Sequence, residues 1–317
     1  MEFDMKLLYQ LAKITTASTV CVGFSVPVLA ADAVPAKRLF GFKAAPAPLK
    51  ARAVGSYARG CLAGGTDIEI DGRYWQVMRL SRNRNWGHPS LVKYVRRLAN
   101  DAGQAGDWSG LMVGDLAQPR GGPMLTGHNS HQIGLDADIW LNQMPNRRLT
   151  REEREKLSAV STVNFDTKEV NRKVWSPNHV KLIRRAASYP EVARIFVNPI
   201  IKKELCRVAG NDRAFLRKVR PWLGHHYHMH VRLSCPAGSS GCKDQARPAA
   251  GDGCGADLAR WFAPPVKPKG KPKPRKPKPP LTLASLPNYC VTVLKRGTAK
   301  LPIFPPKKPP LPRGKPS

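Results

Sequence analysis

Two stretches of the chain alternate apolar and polar residues with a period of two, the pattern of a β-strand with one buried face. Residues 135–141 carry apolar side chains at every odd position, with Asp136 and Asp138 between them. Residues 227–233 are also apolar at every odd position, and the polar positions that alternate with them are His226, His228, His230 and Arg232. Each strand is therefore predicted to present its polar side chains on one face.

The rest of the pattern predicts short strands interspersed with helices. The predicted elements are a hairpin over 66–80 turning at Asp71-Gly72, a helix starting at Pro89, a strand over 111–116, a helix capped by Thr150, a helix over 178–187, a strand over 194–197 and a helix over 212–219. We therefore predict an α+β fold, a single domain over 59–263 whose mainly antiparallel sheet carries the site and has helices packed against it. A domain of about 200 residues is large enough for one hydrophobic core.

Composition separates this domain from both ends of the chain. Residues 31–58 are rich in Ala, Pro and Lys and are predicted to form an extended lead-in. Residues 263–317 hold sixteen of the thirty prolines and fourteen Lys or Arg, but no Asp or Glu. We predict a basic tail over 264–317, stiff and extended over 264–280 and disordered after 305, with Cys290 available to staple it to the domain.

The segment 1–30 has the features of a cleaved signal peptide. Lys6 and Lys13 supply positive charge, the uncharged run over 14–28 is mostly apolar or small, and Val28-Leu29-Ala30 is a suitable cleavage site. A membrane anchor is the alternative, but the run is short for a bilayer span and contains Thr and Ser. We expect export to the periplasm, with no stable membrane span after cleavage.

Six cysteines remain after that cleavage, an even number that favours three disulfides in an oxidising compartment. They are Cys61, Cys206, Cys235, Cys242, Cys254 and Cys290. A thiolate metal site is the alternative, which the lack of any Cys-x-x-Cys pair in the sequence disfavours. A Cys235–Cys242 bridge would close a short loop rich in Gly and Pro, whereas the other pairings stay open from the residues alone.

The formal net charge is +31, of which the residues after Phe262 contribute +14. A charge of this size indicates a polyanionic partner. Export and disulfides argue against nucleic acid and favour anionic polymers of the cell envelope, namely the peptide-stem carboxylates of peptidoglycan or lipopolysaccharide phosphates. A role in solubility alone is the simpler alternative.

If the two alternating strands share one sheet, His131, Asp138 and His230 can converge. Two neutral imidazoles and one carboxylate suit a catalytic zinc that keeps its fourth position for water. Single histidines and aspartates are more often surface or core residues, but two matching strand faces favour a metal site. Hydrolysis would also need a group that accepts and donates protons, and the candidates are His228, on the same face as His230, and His225 at the strand entrance.

Several motifs resemble those of known zinc peptidases. Ser130-His131-x-x-Gly134-x-x-x-Asp138, followed later by His228-x-His230, is similar to the LAS-type zinc peptidases, which include lysostaphin and the D-Ala-D-Ala metallopeptidases. A longer set of segments resembles the family of penicillin-insensitive murein endopeptidases, and it comprises 127–132, Asn198-Pro199, 217–222, 228–232 and 251–255. That resemblance covers 59–262, with a looser match at Cys290.

The resemblance implies a zinc endopeptidase that hydrolyses D-alanyl–meso-diaminopimelate cross-links of peptidoglycan. It implies that His230 binds the zinc while His228 assists the reaction. It also suggests the disulfides Cys206–Cys254 and Cys61–Cys290.

Further metal ligands are implied by the same resemblance. His128 lies close to His131 in the sequence and Asp166 and Glu169 occupy a matching region, but a His is expected where Glu169 stands, which argues against a second metal. His128 and Asp136 are alternatively residues that orient the ligands through hydrogen bonds.

A second class of function is a non-catalytic, zinc-stabilised protein that binds peptidoglycan in the envelope. A structural zinc needs four protein ligands and no spare acid–base group. Three predicted ligands with His225 and His228 beside them therefore favour the enzyme.

Overall fold

The computed structural model describes residues 34–264 and 278–297, so the predicted signal peptide, most of the proline-rich spacer and the residues after 297 lie outside the described residues. The helices are α1 (Ala36–Gly41), α2 (Pro89–Gln104), α3 (Arg151–Lys156), α4 (Pro177–Ser188), α5 (Pro199–Val208), α6 (Ala256–Ala259) and α7 (Tyr289–Lys295). The strands are β1 (Arg52–Ser56), β2 (Arg59–Ala63), β3 (Thr66–Asp67), β4 (Asp71–Gly72), β5 (Trp75–Val77), β6 (Trp86–Gly87), β7 (Leu111–Val113), β8 (Asp136–Trp140), β9 (Val163–Asn164), β10 (Glu169–Val170), β11 (Val192–Val197), β12 (Val219–Pro221) and β13 (His228–Leu233). Among the helices of these residues, none has the length and apolar character that a membrane crossing requires.

A seven-stranded sheet with the order β12-β11-β13-β8-β7-β5-β4 forms the centre of the structure. Its neighbours pair antiparallel, except that β11 with β12 and β5 with β7 are parallel. The two alternating stretches, β8 and β13, are adjacent, and their register sets His230 opposite Asp138 and Arg232 opposite Asp136. The predicted α+β fold with a mainly antiparallel sheet is confirmed.

Helices α2 and α4 pack on the apolar side of this sheet. Each has a proline in its first turn, where the missing N–H has no intrahelical partner to lose. Leu91, Val95 and Leu98 of α2 are fully buried in one cluster with Ala137 of β8 and Val231 of β13. Burying a large aliphatic side chain contributes about 1.5–3 kcal/mol, so this cluster fixes the position of the two strands.

The opposite face of the two strands is buried as well, which the alternation alone did not predict. Asp136 is 0% and Asp138 4% exposed, because the chain between β7 and β8 folds back over them. The backbone N–H of Asp138 donates to the carbonyl of Asp115, and that of His131 donates to Oδ2 of Asp136. Burying a carboxylate costs free energy unless it has hydrogen-bonding or charged partners. The two aspartates therefore require charged and imidazole groups around them on this face.

The hairpin predicted over 66–80 is wrong in its turn and its pairing. Asp71 and Gly72 form strand β4, which pairs with β5 so that Gly72 lies opposite Trp75, and the two residues between the strands make the turn. Strand β3 pairs with β6 instead. Gly72 serves close packing here, because a Cβ at this position would lie 2.1 Å from the Trp75 ring.

The helix predicted over 212–219 is also wrong. A short 3-10 helix spans Ala214–Arg217, and the chain then enters β12, whose hydrogen bonds with β11 override the local helical pattern. Helix α5, which the sequence pattern did not predict, begins directly after β11. Asn198 starts it by accepting a hydrogen bond from the N–H of Ile200, a standard N-terminal cap.

The segment predicted as an extended lead-in contains helix α1 and strand β1 in its described part. Strand β1 pairs with β2, with Val54 opposite Cys61. These elements and α7 share a second hydrophobic cluster whose fully or nearly fully buried members include Ala36, Phe40, Val54, Leu286 and Val293. The lead-in and the segment after the spacer therefore share one core and are not extended appendages.

Three disulfides are present in the predicted pairing, namely Cys61–Cys290, Cys206–Cys254 and Cys235–Cys242. The first joins β2 to α7 across a sequence separation of 229. Cys290 thus staples the segment after the spacer to the domain.

A buried arginine reinforces this connection. Arg120 is 0% exposed, and its guanidinium donates at 2.7–3.0 Å to the carbonyls of Val293, Leu294, Arg296 and Gly297. The last carbonyls of a helix have no partner within the helix. Arg120 satisfies those at the end of α7 and ties the helix to the loop before the site.

We expect Arg120→Met to lower the free energy of unfolding by about 3 kcal/mol, because buried carbonyls would lose a charged donor. Denaturant unfolding monitored by circular dichroism measures the change. The exposed Arg247→Met is the matched control and should stay within about 0.5 kcal/mol of the parent protein. An equally stable Arg120→Met protein would contradict this role.

Candidate metal centre

His131 is fully buried and is aimed by its backbone at the strand face that carries the aspartates. Its φ is +66°, a left-handed conformation that is uncommon for residues other than glycine. Its Nδ1 lies 2.6 Å from the carbonyl oxygen of Leu116. Because a carbonyl only accepts, Nδ1 carries the hydrogen and Nε2 keeps a free lone pair. Nε2 lies 3.5 Å from Oδ1 of Asp138.

Asp138 and His230 meet directly across the β8–β13 pair. Nδ1 of His230 lies 3.2 Å from Oδ1 of Asp138. The imidazole ring of His230 also lies 4.6 Å from that of His131, measured between centroids. The register of the two strands therefore brings all three residues predicted as ligands to one place.

Asp136 holds this arrangement from behind. It accepts hydrogen bonds from the N–H of His131 at 2.9 Å and from Nε and Nη2 of Arg232 at 2.8 and 3.2 Å. Nε2 of His230 lies 3.0 Å from its Oδ1. Burial alone would raise the pKa of Asp136, but the charges of Arg232 and His230 keep it below its ordinary value. Asp136 is therefore an anion that orients both histidines.

His128 contacts the other carboxylate oxygen of Asp138, Oδ2. Its Nε2 lies 3.2 Å from Oδ2 of Asp138 and 3.3 Å from Oδ2 of Asp115. Burial would raise the pKa of Asp115, but the hydrogen bond with His128 and the charges of Arg84 and Arg82 lower it to about 2. Asp115 thus carries a negative charge that faces His128.

The ligand atoms of His128, His131 and Asp138 all lie within 4.8 Å of one another, so these residues could hold a metal ion. Three residues here have buried side-chain atoms with no hydrogen-bonding partner in the protein, and these atoms are Nε2 of His131, Oδ1 of Asp138 and both ring nitrogens of His228. Buried polar atoms without partners are costly. A cation would satisfy Nε2 of His131 and Oδ1 of Asp138 together, and a donor set of imidazole and carboxylate suits zinc.

The two histidines predicted to move protons lie beside this group. Nε2 of His228 is 3.6 Å from Oδ1 of Asp138, and the His225 ring lies 5.0 Å from that of His228. Burial lowers the pKa of His228 to about 4, although the charge of Asp138 opposes the shift. Burial also lowers the pKa of His225. Both imidazoles are therefore neutral at pH 7 and able to accept a proton.

Asp166 and Glu169 lie elsewhere, on the β9–β10 hairpin. Both side chains are exposed, and Glu169 pairs with Asn164 through the backbone. Neither belongs to the converging ligand group found among the described residues. The hairpin does approach the rim of the site, since the Phe165 ring lies 5.3 Å from that of His226.

The site opens to a cavity of about 270 Å³ that is lined by His128, Asp138 and His228. It is also lined by residues that the sequence analysis did not single out, among them Arg79, Arg82 and Asp115. Asp115 follows a short buried strand in the sequence and is not part of any repeated pattern. Only its proximity to His128 in the fold identifies it.

Fold and site together define a class of protein: an α+β domain whose central sheet carries buried His and Asp donors, with spare neutral histidines beside them. This is an arrangement suited to metal-assisted hydrolysis.

Comparisons with known proteins agree with this class. The family described as penicillin-insensitive murein endopeptidase matches residues 53–295. A relative with that name from Haemophilus influenzae is 48% identical over 235 residues, which cover 73% of this chain and 80% of the relative. One from Klebsiella pneumoniae strain 342 is also 48% identical, over 231 residues that cover 73% of this chain and 83% of the relative. One from Escherichia coli strain 55989 is 44% identical over 249 residues, 78% of this chain and 88% of its own. The chain belongs to the family of penicillin-insensitive murein endopeptidases.

We expect Asp136→Asn to weaken zinc binding by about 10–100-fold, because a neutral amide would orient His131 and His230 less firmly. Competition with a chromophoric chelator measures the affinity. The exposed Asp67→Asn should bind zinc like the parent protein. Unchanged affinity in Asp136→Asn would show that Asp136 does not support the ligands.

Proposed function

We propose that the protein is a zinc-dependent murein endopeptidase that hydrolyses peptide cross-links of peptidoglycan, at D-alanyl–meso-diaminopimelate bonds. The observation that carries the proposal is the pair of buried, unpartnered atoms Nε2 of His131 and Oδ1 of Asp138, with Nδ1 of His230 3.2 Å from that oxygen and the neutral His228 beside them. Membership of the family and the names of its relatives support the substrate class.

We assign the zinc ligands as Nε2 of His131, Oδ1 of Asp138 and Nδ1 of His230. Zinc bonds of about 2.0–2.1 Å in a tetrahedron require ligand atoms about 3.3–3.4 Å apart. Oδ1 of Asp138 lies 3.5 Å from the first nitrogen and 3.2 Å from the second, close to that spacing. A set with His128 in place of His230 is the alternative, since its Nε2 is 3.2 Å from the other oxygen of Asp138. Metal analysis of His128→Ala and His230→Ala distinguishes the two sets.

Zinc bound here would supply a Lewis acid that polarises the scissile carbonyl and lowers the pKa of a coordinated water. The protein's own residues must then handle the proton. Neutral His228 can accept it on Nε2 and return it to the amine nitrogen as the peptide bond breaks. Asp138 beside it stabilises the intermediate imidazolium, since Nε2 of His228 lies 3.6 Å from Oδ1.

The alternative is a non-catalytic protein that binds peptidoglycan and uses zinc only for stability. A structural zinc is normally enclosed by four protein ligands. This site instead opens to a cavity through His228 and Asp138, and its two further imidazoles, His225 and His228, have lowered pKa values. The arrangement favours the enzyme.

We infer that the protein acts in the periplasm. The three disulfides are suited to an oxidising compartment. Its substrate lies in that compartment, and the net charge of +31 favours association with anionic envelope polymers over nucleic acid.

The proposal is tested by incubating the purified mature protein with peptidoglycan sacculi, with and without a chelator. We expect release of peptides cut at the D-alanyl–meso-diaminopimelate cross-link, loss of that activity with chelator, and its return with added zinc. Mass spectrometry of the released peptides identifies the bond. Sacculus binding without any cleavage would favour the non-catalytic alternative.

We expect His228→Ala to keep its zinc and its fold while losing about 10²–10⁴-fold in turnover, the usual contribution of general acid–base catalysis. Zinc content and cleavage of a soluble cross-linked peptide are measured on the same preparation. His226→Ala is the matched control on the neighbouring position and should retain both. Normal turnover with normal zinc would exclude His228 as the proton carrier and leave His225 as the candidate.

A further inference from the structure

A second cavity, of about 770 Å³, lies beside the metal centre. His128 lines both this cavity and the one that opens from Asp138 and His228. A substrate whose scissile bond lies at the metal centre can therefore extend past His128 into the second cavity.

The walls of this cavity come from four parts of the chain. One wall is the loop over 123–129 with Gln132, the second is α1, which contributes Lys37, the third is the segment from Lys278 to Leu281, and the fourth is Ala58 and Arg59 at the start of β2. The second and third walls are joined by a hydrogen bond from the N–H of Ala36 to the carbonyl of Leu281, at 2.7 Å. The third is also fixed by the disulfide Cys61–Cys290 shortly after it. The cavity is thus a built feature of the fold.

The loop wall is fixed to the metal centre. Gln132 follows His131 directly and donates from Nε2 to the carbonyls of Ala58 and Asn129, at 2.8 and 3.1 Å. It also accepts from the N–H of Gly60 at 3.2 Å. A ligand that contacts this wall is therefore held at a defined distance from His131.

The charged residues of the cavity are all of one sign. Lys37, Arg59 and Lys278 line it and are exposed, and no Asp or Glu lines it. Within residues 34–264 and 278–297, no carboxylate forms an ion pair with any of the three, whereas most other arginines near the site do have such partners, as Arg82, Arg84 and Arg232 show. Three cations without acidic partners on one concave surface attract an anionic group.

We propose that this cavity binds the carboxylates of the substrate's peptide on one side of the scissile bond. The inference rests on the proposed function and deepens it, because it assigns the selection of free carboxylates to Lys37, Arg59 and Lys278. A carboxylate is favoured over another anion because the cavity adjoins the metal centre at His128, and the substrate proposed for that centre is a peptide with free carboxylates. The chain segment from Lys278 to Leu281 then contributes a wall of the substrate site.

The test uses two probes that cannot be cleaved further: a stem tetrapeptide with free carboxylates and the same peptide with its carboxylates converted to carboxamides. Calorimetry at low salt measures their binding to the full mature protein. Each exposed ion pair contributes up to about five-fold in affinity, so we expect the acidic peptide to bind at least about ten-fold tighter. Added salt should reduce that preference.

One triple variant reverses the cavity's charge and a second neutralises it. The triple variant Lys37→Glu, Arg59→Glu, Lys278→Glu should lose the preference for the acidic peptide, and the triple glutamine variant should reduce it. Lys173→Glu, an exposed lysine that lines neither cavity, is the matched control and should keep it. With a cross-linked substrate, the triple variants should raise KM and leave kcat unchanged.

The outcomes separate this inference from the proposed function. Sacculi cut in a zinc-dependent way, with equal binding of both tetrapeptides, would overturn the cavity's role and leave the function standing. A preference for the acidic peptide that disappears in the triple variant, in a protein that does not cut sacculi, would support the cavity and refute the function. A preference that survives charge reversal would place carboxylate recognition elsewhere and overturn the inference.

Discussion

The structure depends on one strand pairing, that of β8 with β13, because its register decides which polar groups meet. His230 lies opposite Asp138 and Arg232 lies opposite Asp136. A shift of one residue would turn both aspartates toward the core. The fully buried Ala137 and Val231 on the other side prevent that shift. The hydrophobic core therefore selects the geometry of the candidate metal centre, and it also contacts that centre through Leu116, whose carbonyl oxygen lies 2.6 Å from Nδ1 of His131.

The same register places two carboxylates in sequence along one strand with different tasks. Asp136 is saturated by Arg232, the His131 backbone and His230, so it has little capacity left for a ligand. Asp138 keeps a buried oxygen without a partner. Asp136 thus orients the ligands and Asp138 is a candidate ligand. The two side chains are chemically identical, and only their neighbours give them different roles.

The sequence predicted the parts of the site that carry a repeating pattern. The alternation over 135–141 and 227–233 located both strands, and the spacing of His228 and His230 put them on one face. Asp115 and Arg84 carry no such pattern, because single polar residues on loops and short strands look alike until the fold brings them to His128. Local signals also failed where tertiary packing decides. Asp71-Gly72 resembles a turn, but Trp75 needs the space that the missing Gly72 side chain leaves.

The disulfide Cys61–Cys290 changes how the proline-rich spacer is connected to the rest of the protein. Residues 265–277 connect two anchored positions, since Leu258 is buried on one side of them and Cys290 is bonded to β2 on the other. They are consequently the middle of a covalent ring rather than the start of a free end. A protease that cuts within this segment would leave α7 attached to the domain through sulfur, and only reduction as well as cleavage would release it.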